Sequence, residues 1–340
     1  FTQVIKKNRV FIIAEAGCNH NGSIVLAKKL IDAAVFAKAD AVKFQSFNVD
    51  ELVTKSARKA NYAIKNTKKN ETQYDMQKKL MLSFDDHFKL KKYCNQKKIK
   101  FLSSTFDLQS TTLLQRLNVE IIKIPSGEIV NFPNLKFIGS LNKKIIISSG
   151  MSTLKEIKAA LQVLYNSGTD KKNITLLHCN SAYPSAFKDL NLNAMLQLEK
   201  YFNIAVGYSD HSLGIEASIA AVTIGAKVIE KHITLDNNMT GPDHKASLEK
   251  IEFRKMVESI RKVELAMGSR IKKPTKSELK NLVAVRKSIK ARKNIKKGDP
   301  LNMKNLCVKR PGDGISPMKW DSVVGKRAKQ NFKKDDNIIL

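Results

Sequence analysis

Short apolar runs recur along the chain from its start, and polar-patterned sequence long enough for a helix separates each from the next. Unbroken apolar runs that alternate with helical patterns are typical of parallel strands buried on both faces of a sheet. Eight strands are predicted in this way, at residues 10–14, 41–44, 99–102, 119–124, 144–147, 174–177, 204–206 and 226–229. Eight strand–helix units within about 250 residues match the size of a (β/α)8 barrel.

The segments between these strands carry helix boundary signals. One helix is predicted to begin after Ser23, a good N-cap residue, and another to run from Ser152 to Gly168, a residue suited to a helix C-terminus. The segment 48–75 is longer and more polar than the other connections. Insertions of this kind on the functional face of a barrel often act as lids or partner contacts.

A doubly wound open sheet is the alternative fold, and it would place functional groups mainly at one switch point. In this chain, however, polar residues follow nearly every predicted strand. They are Glu15, Lys43, Gln45, Ser104, Lys123, Ser126, Glu128, Ser148, His178, Ser209, His211, Glu230 and His232. Because convergence from many strand ends is typical of a barrel mouth, we predict an α/β fold with a (β/α)8 TIM barrel.

The pattern changes after a predicted helix at 248–267, which Gly268 would end. A stretch containing lysine and proline follows, and short strands and turns then replace the helical periodicity. We therefore predict a barrel domain at 1–270, a linker at 271–283 and a small, mostly β domain at 284–340.

Composition narrows the function classes. The 340 residues are 42% hydrophobic, and no apolar run approaches the length of a membrane span. The formal charge of +30 would suit a nucleic-acid-binding protein, which is the alternative outside the enzymes. The lysines are nevertheless spread along the whole chain, and no zinc finger, RRM or KH pattern is present. A solvated, lysine-rich surface is favoured, with no nucleic-acid partner and no membrane partner.

The four cysteines (Cys18, Cys94, Cys179 and Cys307) are scattered and show no C-x-x-C spacing. This argues against a disulfide framework and favours a reducing compartment. Because no signal-peptide pattern is present either, a cytoplasmic protein is predicted.

Two of the predicted strands lead into polar tips that each carry a histidine, His211 and His232. Neighbouring strands would bring these two imidazoles together, with Asp210, Glu230 and Asp243 nearby. Two neutral imidazoles can hold a divalent metal while leaving most of its coordination open. A loosely held, hydrated metal favours Mn²⁺, with Mg²⁺ or Co²⁺ as alternatives, and its natural role is that of a Lewis acid on a carbonyl.

Lys43 and Lys123 lie near strand ends and are predicted to point into the mouth, where each needs an anion. One reading is an ion pair with a glutamate, either Glu15, Glu128 or Glu230. A second reading is a cradle for phosphate and carboxylate, because hydroxyl and backbone donors are expected beside both lysines. Those donors belong to Ser104, Ser126, Gly127, Ser148, Gly150 and Ser209. A Schiff-base lysine of a pyruvate aldolase, which would need a depressed pKa, stays open.

Several longer sequence motifs together indicate one protein family. They are AEAGCNHNG from Ala14, VKFQ from Val42, KIPSGE from Lys123, GYSDH from Gly207, EKH from Glu230 and GPDHKAS from Gly241. In this order they resemble the bacterial sialic acid (N-acetylneuraminate) synthases, a family that includes the legionaminate synthases. VKRPGDGI from Val308 resembles the antifreeze-like (SAF) domain of the same family.

The resemblance implies a condensation of phosphoenolpyruvate with an N-acetylated mannosamine-type sugar, in which the C–O bond of phosphoenolpyruvate breaks and phosphate leaves. N-acetylmannosamine, giving N-acetylneuraminate, is the first choice of substrate. A diacetamido-trideoxy sugar, giving N,N'-diacetyllegionaminate, is the alternative.

The resemblance also implies residue roles. The residues that would bind phosphoenolpyruvate are Lys43, Ser104, Lys123, Ser126, Ser148 and Ser209. His211 and His232 would hold the metal, and Glu128 and Glu15 would handle protons or stabilise the cation. The residues that would contact the sugar are Gln45, Ser181, Tyr183 and Asp243. The family forms a domain-swapped homodimer, which implies that Arg310 reaches the N-acyl group of the sugar from the partner subunit.

Two departures from the family pattern concern sugar selectivity rather than chemistry. Thr105 stands where the family usually has proline, and Asn180 stands where it commonly has threonine.

Overall fold

The computed structural model describes residues 9–67 and 70–340, without the side chains of Asn61 and Lys65. Residues 1–8, which the prediction assigns to the barrel domain, and 68–69, in the predicted insertion, lie outside this description. The chain divides into two compact units, one ending at Gly268 and the other spanning Ser269–Leu340.

In the first unit, eight parallel strands of the described residues form a closed barrel, because the first strand pairs with both the second and the eighth. They are β1 (Phe11–Gly17), β2 (Ala41–Ser46), β3 (Lys100–Thr105), β4 (Ile121–Ile124), β5 (Lys144–Ser148), β6 (Ile174–Cys179), β7 (Ala205–Asp210) and β8 (Val228–Thr234). The short strand β9 (Leu248–Glu249) pairs with β8. The predicted barrel is confirmed.

Helices surround the barrel, and α2 to α4 belong to the insertion after β2. They are α1 (Ile24–Phe36), α2 (Val49–Leu52), α3 (Asn61–Asn66), α4 (Gln73–Leu80), α5 (Phe84–Gln96), α6 (Leu108–Arg116), α7 (Phe132–Ser140), α8 (Leu154–Asn166), α9 (Ala194–Phe202), α10 (Glu216–Thr223) and α11 (Lys250–Met267). Single turns of 3-10 helix occur at Ser126–Glu128, Lys171–Asn173, Phe187–Asp189 and His244–Ala246.

The helix boundaries follow local capping chemistry. Ser23 caps α1 as predicted, by accepting from the Leu26 amide. The helix expected to begin at Ser152 instead uses Thr153 as its N-cap, because Thr153 forms a capping box with Glu156. Among the described residues, no helix combines the length and apolar character that a membrane crossing requires.

The barrel interior follows from the two-residue period of a strand, since alternate side chains point to the same side. The lower interior is an apolar layer made of Phe11, Ile13, Ala41, Leu102, Ile121, Ile146, Leu177 and Val228. The opposite set of strand residues, such as Ile12, Val42 and Ile122, packs outward in the large core that includes the helices. One period further along the strands, the inward positions become polar, which places the polar residues at the carboxyl end of the barrel.

Gly207 illustrates how tightly this interior is filled. A Cβ at that position would lie 2.4 Å from the carbonyl oxygen of Val228 and 2.6 Å from Cδ2 of Leu177. Only glycine fits between those two neighbouring strands.

The second unit has its own small core, which includes Ile289, Ile295, Leu306 and Phe332. Its strands β10 (Ser288–Ala291) and β11 (Leu306–Lys309) are antiparallel. Its helices are α12 (Lys276–Leu279), α13 (Leu282–Val285) and α14 (Trp320–Val323), with a 3-10 turn at Pro317–Lys319. The segment 271–283, predicted as a linker, therefore contains a helix and the start of a second. The Gly312 amide donates to the Val283 carbonyl at 2.7 Å, which ties this segment to the small unit.

Candidate active site

A cavity of about 340 Å³ opens at the carboxyl end of the barrel, where the polar inward positions lie. Every strand from β1 to β8, or the loop that follows it, contributes to its wall. The predicted site residues that line it are Glu15, Lys43, Gln45, Ser104, Lys123, Ser126, Ser148, Ser181, Tyr183, Ser209, His211, His232 and Asp243. The barrel thus gathers side chains that are far apart in the sequence.

Two buried lysines and two buried carboxylates occupy the floor of this cavity. Lys43 Nζ lies 2.9 Å from Glu15 Oε2 and 3.6 Å from Glu230 Oε1, while Lys123 Nζ lies 3.5 Å from Glu230 Oε1. All four side chains are at most 5% exposed. The ion pairs considered from sequence are present, and both ammonium groups also line the cavity.

Serine hydroxyls fix the two lysines. Lys43 Nζ donates to Ser104 Oγ at 2.9 Å, and Lys123 Nζ donates to Ser148 Oγ at 2.7 Å. Since a hydroxyl that accepts from an ammonium group keeps its own O–H free to donate, each serine can extend the positive site toward an anion.

Burial and charge act in opposite directions on these groups. Burial lowers the pKa of Lys123 below its usual value, although Glu230 opposes this. Burial also opposes the charged form of Lys43, but Glu15 and Glu230 outweigh it and raise the pKa of Lys43. Burial raises the pKa of Glu15 to about 7, whereas the two lysines outweigh burial at Glu230 and lower its pKa. The depressed pKa of Lys123 is the property that a Schiff-base lysine would need.

Gly150 allows the loop after β5 to approach the loops after β4 and β6. A Cβ there would lie 2.3 Å from Ser181 Oγ, 2.8 Å from Ser126 Oγ and 2.9 Å from Cys179 Sγ. The Gly150 amide donates to Ser126 Oγ at 3.0 Å, so this predicted backbone donor serves to position Ser126.

His211 and His232 stand on the same side of the cavity, with ring centroids 5.5 Å apart. His211 Nδ1 donates to the Asn180 carbonyl at 2.5 Å, which leaves Nε2 as the lone-pair nitrogen. The buried Nδ1 of His232 has no hydrogen-bond partner in the described structure, and Asp243 Oδ2 lies 3.9 Å away. Burial lowers the pKa of His211 to about 4 and that of His232 well below its usual value.

Two neutral, buried imidazoles with available nitrogens fit a divalent metal held by few protein ligands. Within the described residues, no group of three or more potential ligand side chains forms a closed metal cage. The donor set therefore suits an open, partly hydrated metal rather than a structural zinc. His178, on β6, and His244, in the segment after β8, are engaged elsewhere, since His178 contacts the Leu190 carbonyl and His244 contacts Thr234.

The residues expected to contact the sugar surround the histidines. The ring of Tyr183 lies 4.1 Å from that of His211 and 5.7 Å from that of His232, measured between centroids. Gln45 donates to Glu15 Oε1 at 3.4 Å and accepts from Cys18 Sγ at 3.2 Å. Gln45 and Tyr183 therefore both line the cavity that contains the histidine pair.

Two predicted site residues are not part of this cavity wall. Glu128 follows Ser126 and Gly127, which do line the cavity, but its own carboxylate contacts Asn131 at 2.5 Å. Burial raises the pKa of Glu128. Arg310 belongs to the second unit, where it is exposed at the end of β11. Their predicted roles stay predictions.

Several wall residues were not predicted from the sequence. Tyr62 comes from α3 in the long insertion, and its ring lies 4.9 Å from that of Tyr183. Met76 and Gln77 come from α4 in the same region. Helices this short give no clear periodicity, so the length of the insertion was the available signal. Glu230 was expected as an ion-pair partner of one lysine and as a neighbour of the histidine pair, and it contacts both lysines.

A closed (β/α)8 barrel with a lysine pair, carboxylates and two neutral histidines gathered at its mouth is the arrangement of a (β/α)8-barrel enzyme. The chain belongs to the NeuB family, whose model matches residues 30–272, and the SAF domain model matches residues 286–338. The family resemblance and the SAF assignment are thereby confirmed.

Individual relatives share nearly the whole length. The chain is 51% identical to N,N'-diacetyllegionaminic acid synthase of Campylobacter jejuni, over 97% of this chain and 99% of that protein. It is 44% identical to N,N'-diacetyllegionaminic acid synthase of Legionella pneumophila, over 97% and 93%. Human N-acetylneuraminate-9-phosphate synthase is 36% identical over 97% and 91%. The crystal structure of N-acetylneuraminic acid synthetase from Leptospira borgpetersenii is similar with a TM-score of 0.71 and 34% identity, over 82% and 92%.

Proposed function

We propose that this chain makes N,N'-diacetyllegionaminate by condensing phosphoenolpyruvate with 2,4-diacetamido-2,4,6-trideoxymannose and releasing phosphate. Its family makes it a phosphoenolpyruvate-dependent condensing enzyme of the nonulosonic acid synthase class. The 51% and 44% identities to diacetyllegionaminate synthases, against 36% to the human N-acetylneuraminate-9-phosphate synthase, support the particular sugar. They support the alternative of the sequence analysis over its first choice, N-acetylneuraminate.

The buried lysine pair is the observation that carries the proposal. Phosphoenolpyruvate bears a phosphate and a carboxylate, and Lys43 and Lys123 present two ammonium groups to one cavity. Their contacts with Glu15 and Glu230 hold both ammonium groups in place, so the positive site is preorganised. The additional donors that we assign to the anion are Ser104, Ser126 and Ser148. Ser209, which the resemblance also implies, donates its hydroxyl to Glu230 Oε1 at 3.1 Å, so its contact with the anion would replace that hydrogen bond.

We assign His211 and His232 as the ligands of the divalent metal, with Mn²⁺ in first place. A metal bound there would act as a Lewis acid that polarises the aldehyde of the open-chain sugar. The residues assigned to orient the sugar are Tyr183, whose ring lies 4.1 Å from that of His211, and Gln45, with Ser181 and Asp243 as further contacts.

In the reaction, the methylene carbon of phosphoenolpyruvate forms a bond to the aldehyde carbon while the C=O π bond of the aldehyde breaks, and the aldehyde oxygen takes up a proton to become a hydroxyl. Water adds to the resulting cationic C2 and gives up a proton. The C–O bond to phosphate then breaks as the added hydroxyl loses its proton and becomes the C2 carbonyl, and phosphate leaves. Glu15 lines the cavity beside Lys43 and Gln45, so we assign it to accept the proton of the attacking water. Glu230 keeps the lysines positioned.

We extend the proposal to the assembly implied by the resemblance, a homodimer with exchanged SAF domains. The SAF match at residues 286–338 supports the presence of the capping module. In such a dimer, Arg310 of the partner subunit would reach the N-acyl group of the sugar.

Phosphate release from phosphoenolpyruvate tests the proposal. The purified chain is offered the diacetamido sugar or N-acetylmannosamine, each with added Mn²⁺ and with EDTA. Release that requires both metal and sugar, and that is faster with the diacetamido sugar, is the expected result. Preference for N-acetylmannosamine would overturn the assigned product, and no release with either sugar would overturn the activity.

Borohydride trapping separates this chemistry from a Schiff-base aldolase, which the depressed pKa of Lys123 would otherwise permit. Because the proposed reaction forms no imine, borohydride added during turnover should leave Lys123 unmodified. A pyruvyl adduct on Lys123, found by mass spectrometry, would instead favour the aldolase.

A further inference from the structure

A second cavity of about 500 Å³ adjoins the first one at the mouth of the barrel. Ala60, Tyr62, Ser181 and Tyr183 line both cavities. The rings of Tyr62 and Tyr183 lie 4.9 Å apart, and they form the partition between the two spaces. A ligand that passes this pair of rings would therefore occupy both cavities.

The two cavities differ in chemistry. The first is lined by buried ionisable groups, including Lys43, Lys123 and Glu230. Apart from the exposed Lys245, the described side chains that line the second cavity are neutral. Burial raises the pKa of Tyr62, so its phenol stays protonated at neutral pH. The second cavity therefore suits an uncharged group rather than phosphate or carboxylate.

Its polar atoms are few and have free hydrogen-bonding capacity. Asn66 Nδ2 donates to the Pro242 carbonyl at 3.0 Å, which leaves the amide oxygen of Asn66 as an acceptor. In the described structure, the hydroxyl groups of Tyr62 and Ser181 make no hydrogen bond to protein. The remaining wall is apolar, from Ala60, Ala182 and Pro184.

These features match the parts of an N-acyl group. An acceptor such as the Asn66 oxygen can bind the amide N–H, a hydroxyl donor can bind the carbonyl, and the apolar wall can cover the methyl group. Tyr183 links this space to the histidine pair, because the same ring contacts His211. A sugar whose aldehyde lies beside His211 would extend past Tyr183 into the second cavity.

We propose that the second cavity binds the acylamino group that a diacetamido sugar carries and N-acetylmannosamine lacks. It thus acts as the specificity pocket of the enzyme. This inference rests on the proposed function, and it assigns the choice of sugar to the insertion and to the loop after β6.

Ala182→Leu tests the pocket, because Ala182 lines the second cavity but not the first. The larger side chain should occupy the space of the extra acylamino group. The expected result is a fall of about 10-fold or more in kcat/KM for the diacetamido sugar, mainly through KM, with the KM for phosphoenolpyruvate unchanged. N-acetylmannosamine, used as substrate or as competitive inhibitor, should lose no affinity.

Ala186→Leu is the matched control, since Ala186 is exposed in the same loop and lines neither cavity. Ala186→Leu should leave the kcat/KM values for both sugars unchanged. Tyr62→Phe and Tyr62→Ala provide a second test that does not depend on filling the pocket. Tyr62→Phe, which lacks the hydroxyl, should bind the diacetamido sugar more weakly. Tyr62→Ala, which also lacks the ring, should discriminate still less between the two sugars.

The outcomes separate this inference from the proposed function. Suppose that the wild type prefers the diacetamido sugar but that Ala182→Leu lowers kcat/KM equally for both sugars, or for neither. The pocket assignment is then wrong, while the proposed function stands. If the wild type prefers N-acetylmannosamine or releases no phosphate, the proposed function fails and the inference fails with it. Selective loss for the diacetamido sugar would support both.

Discussion

The lower and upper halves of the barrel interior have the same backbone geometry and opposite chemistry. In the lower half, Ile13 and Ile146 are fully buried among apolar neighbours. Two residues further along the same strands, Glu15 and Ser148 are equally buried but line the cavity. The lower layer stabilises the fold by removing apolar surface from water, whereas the upper layer buries charges that are costly unless paired. Substitutions in the two layers should therefore separate stability from activity.

The largest effect is expected at the histidine pair of the upper half. His211→Ala should reduce turnover to background and abolish Mn²⁺ binding measured by electron paramagnetic resonance, because one of two protein ligands is lost. The CD spectrum should not change. His178→Gln is the control, since His178 lies on the adjacent strand β6 without lining the cavity, and this variant should still bind Mn²⁺. An active His211→Ala enzyme would contradict the assignment.

The second-largest effect is expected at the lysine pair, Lys43 and Lys123. Lys123→Met removes one ammonium group from the anion site and should lower kcat/KM for phosphoenolpyruvate about 1,000-fold, within the 2–5 kcal/mol range for truncating a buried charged hydrogen-bond pair. Lys100→Met is the matched control at the opposite end of a neighbouring strand, where Lys100 pairs with Glu120 on the surface. Similar kinetics for the two variants would remove Lys123 from the substrate site.

Substitutions in the lower layer should reduce the free energy of unfolding rather than the activity. Ile146→Ala creates a cavity in the apolar layer and should lower the free energy of unfolding by about 2–5 kcal/mol. Urea unfolding measures this loss, and turnover per folded molecule should stay unchanged. Ser148→Ala, on the same strand, should show the reverse pattern, with a raised KM for phosphoenolpyruvate and little change in unfolding. If Ile146→Ala altered that KM as strongly, the two halves would not be separable.

The smallest effect concerns pH. Burial, with help from the neighbouring His87, lowers the pKa of His20 to about 4, below the value of about 6.5 for an unfolded histidine. The unfolded chain therefore binds more protons, and the stability present above pH 6.5 is lost as the pH falls. Between pH 7.5 and 5.5, His20 should contribute a loss of about 1 kcal/mol in urea unfolding.

His20→Asn tests this contribution. Asparagine can keep the acceptor that His20 Nδ1 offers to the Gly22 amide at 3.0 Å, but it has no group that titrates in this range. The variant should show a smaller loss of stability between the two pH values. An unchanged pH dependence would mean that other groups account for acid destabilisation.

The fold was predictable because apolar periodicity reports burial directly. The strand ends were less predictable, since β8 was expected to end at Ile229 but continues to Thr234. The reason is that Glu230 and His232 are polar and still part of the strand, because the upper interior is a polar cavity. The apolar pattern therefore predicted the strand ends at the boundary between the apolar lower half and the polar upper half of the barrel interior.

The site was predictable where one strand supplies one functional group, as for Lys43 and Lys123. It was not predictable where the group depends on packing between distant segments. Tyr62 could not be assigned because its neighbour Tyr183 comes from another loop, and the contact exists only in the folded chain. Glu128 shows the reverse case, since its sequence neighbours line the cavity and it does not.

Barrel closure has a consequence for how the site is assembled in time. Glu15 on β1 lies directly opposite His232 on β8, so residues from the two ends of the barrel unit become neighbours only when these strands pair. Closing such a long loop has an entropic cost that no local segment can reduce, which raises the contact order of the unit. During refolding, phosphate-release activity should therefore recover only when β1 pairs with β8 and closes the barrel, whereas helix formation can be complete earlier. The same pairing that removes the open edges of the sheet makes catalytic competence a property of the whole barrel and of no fragment of it.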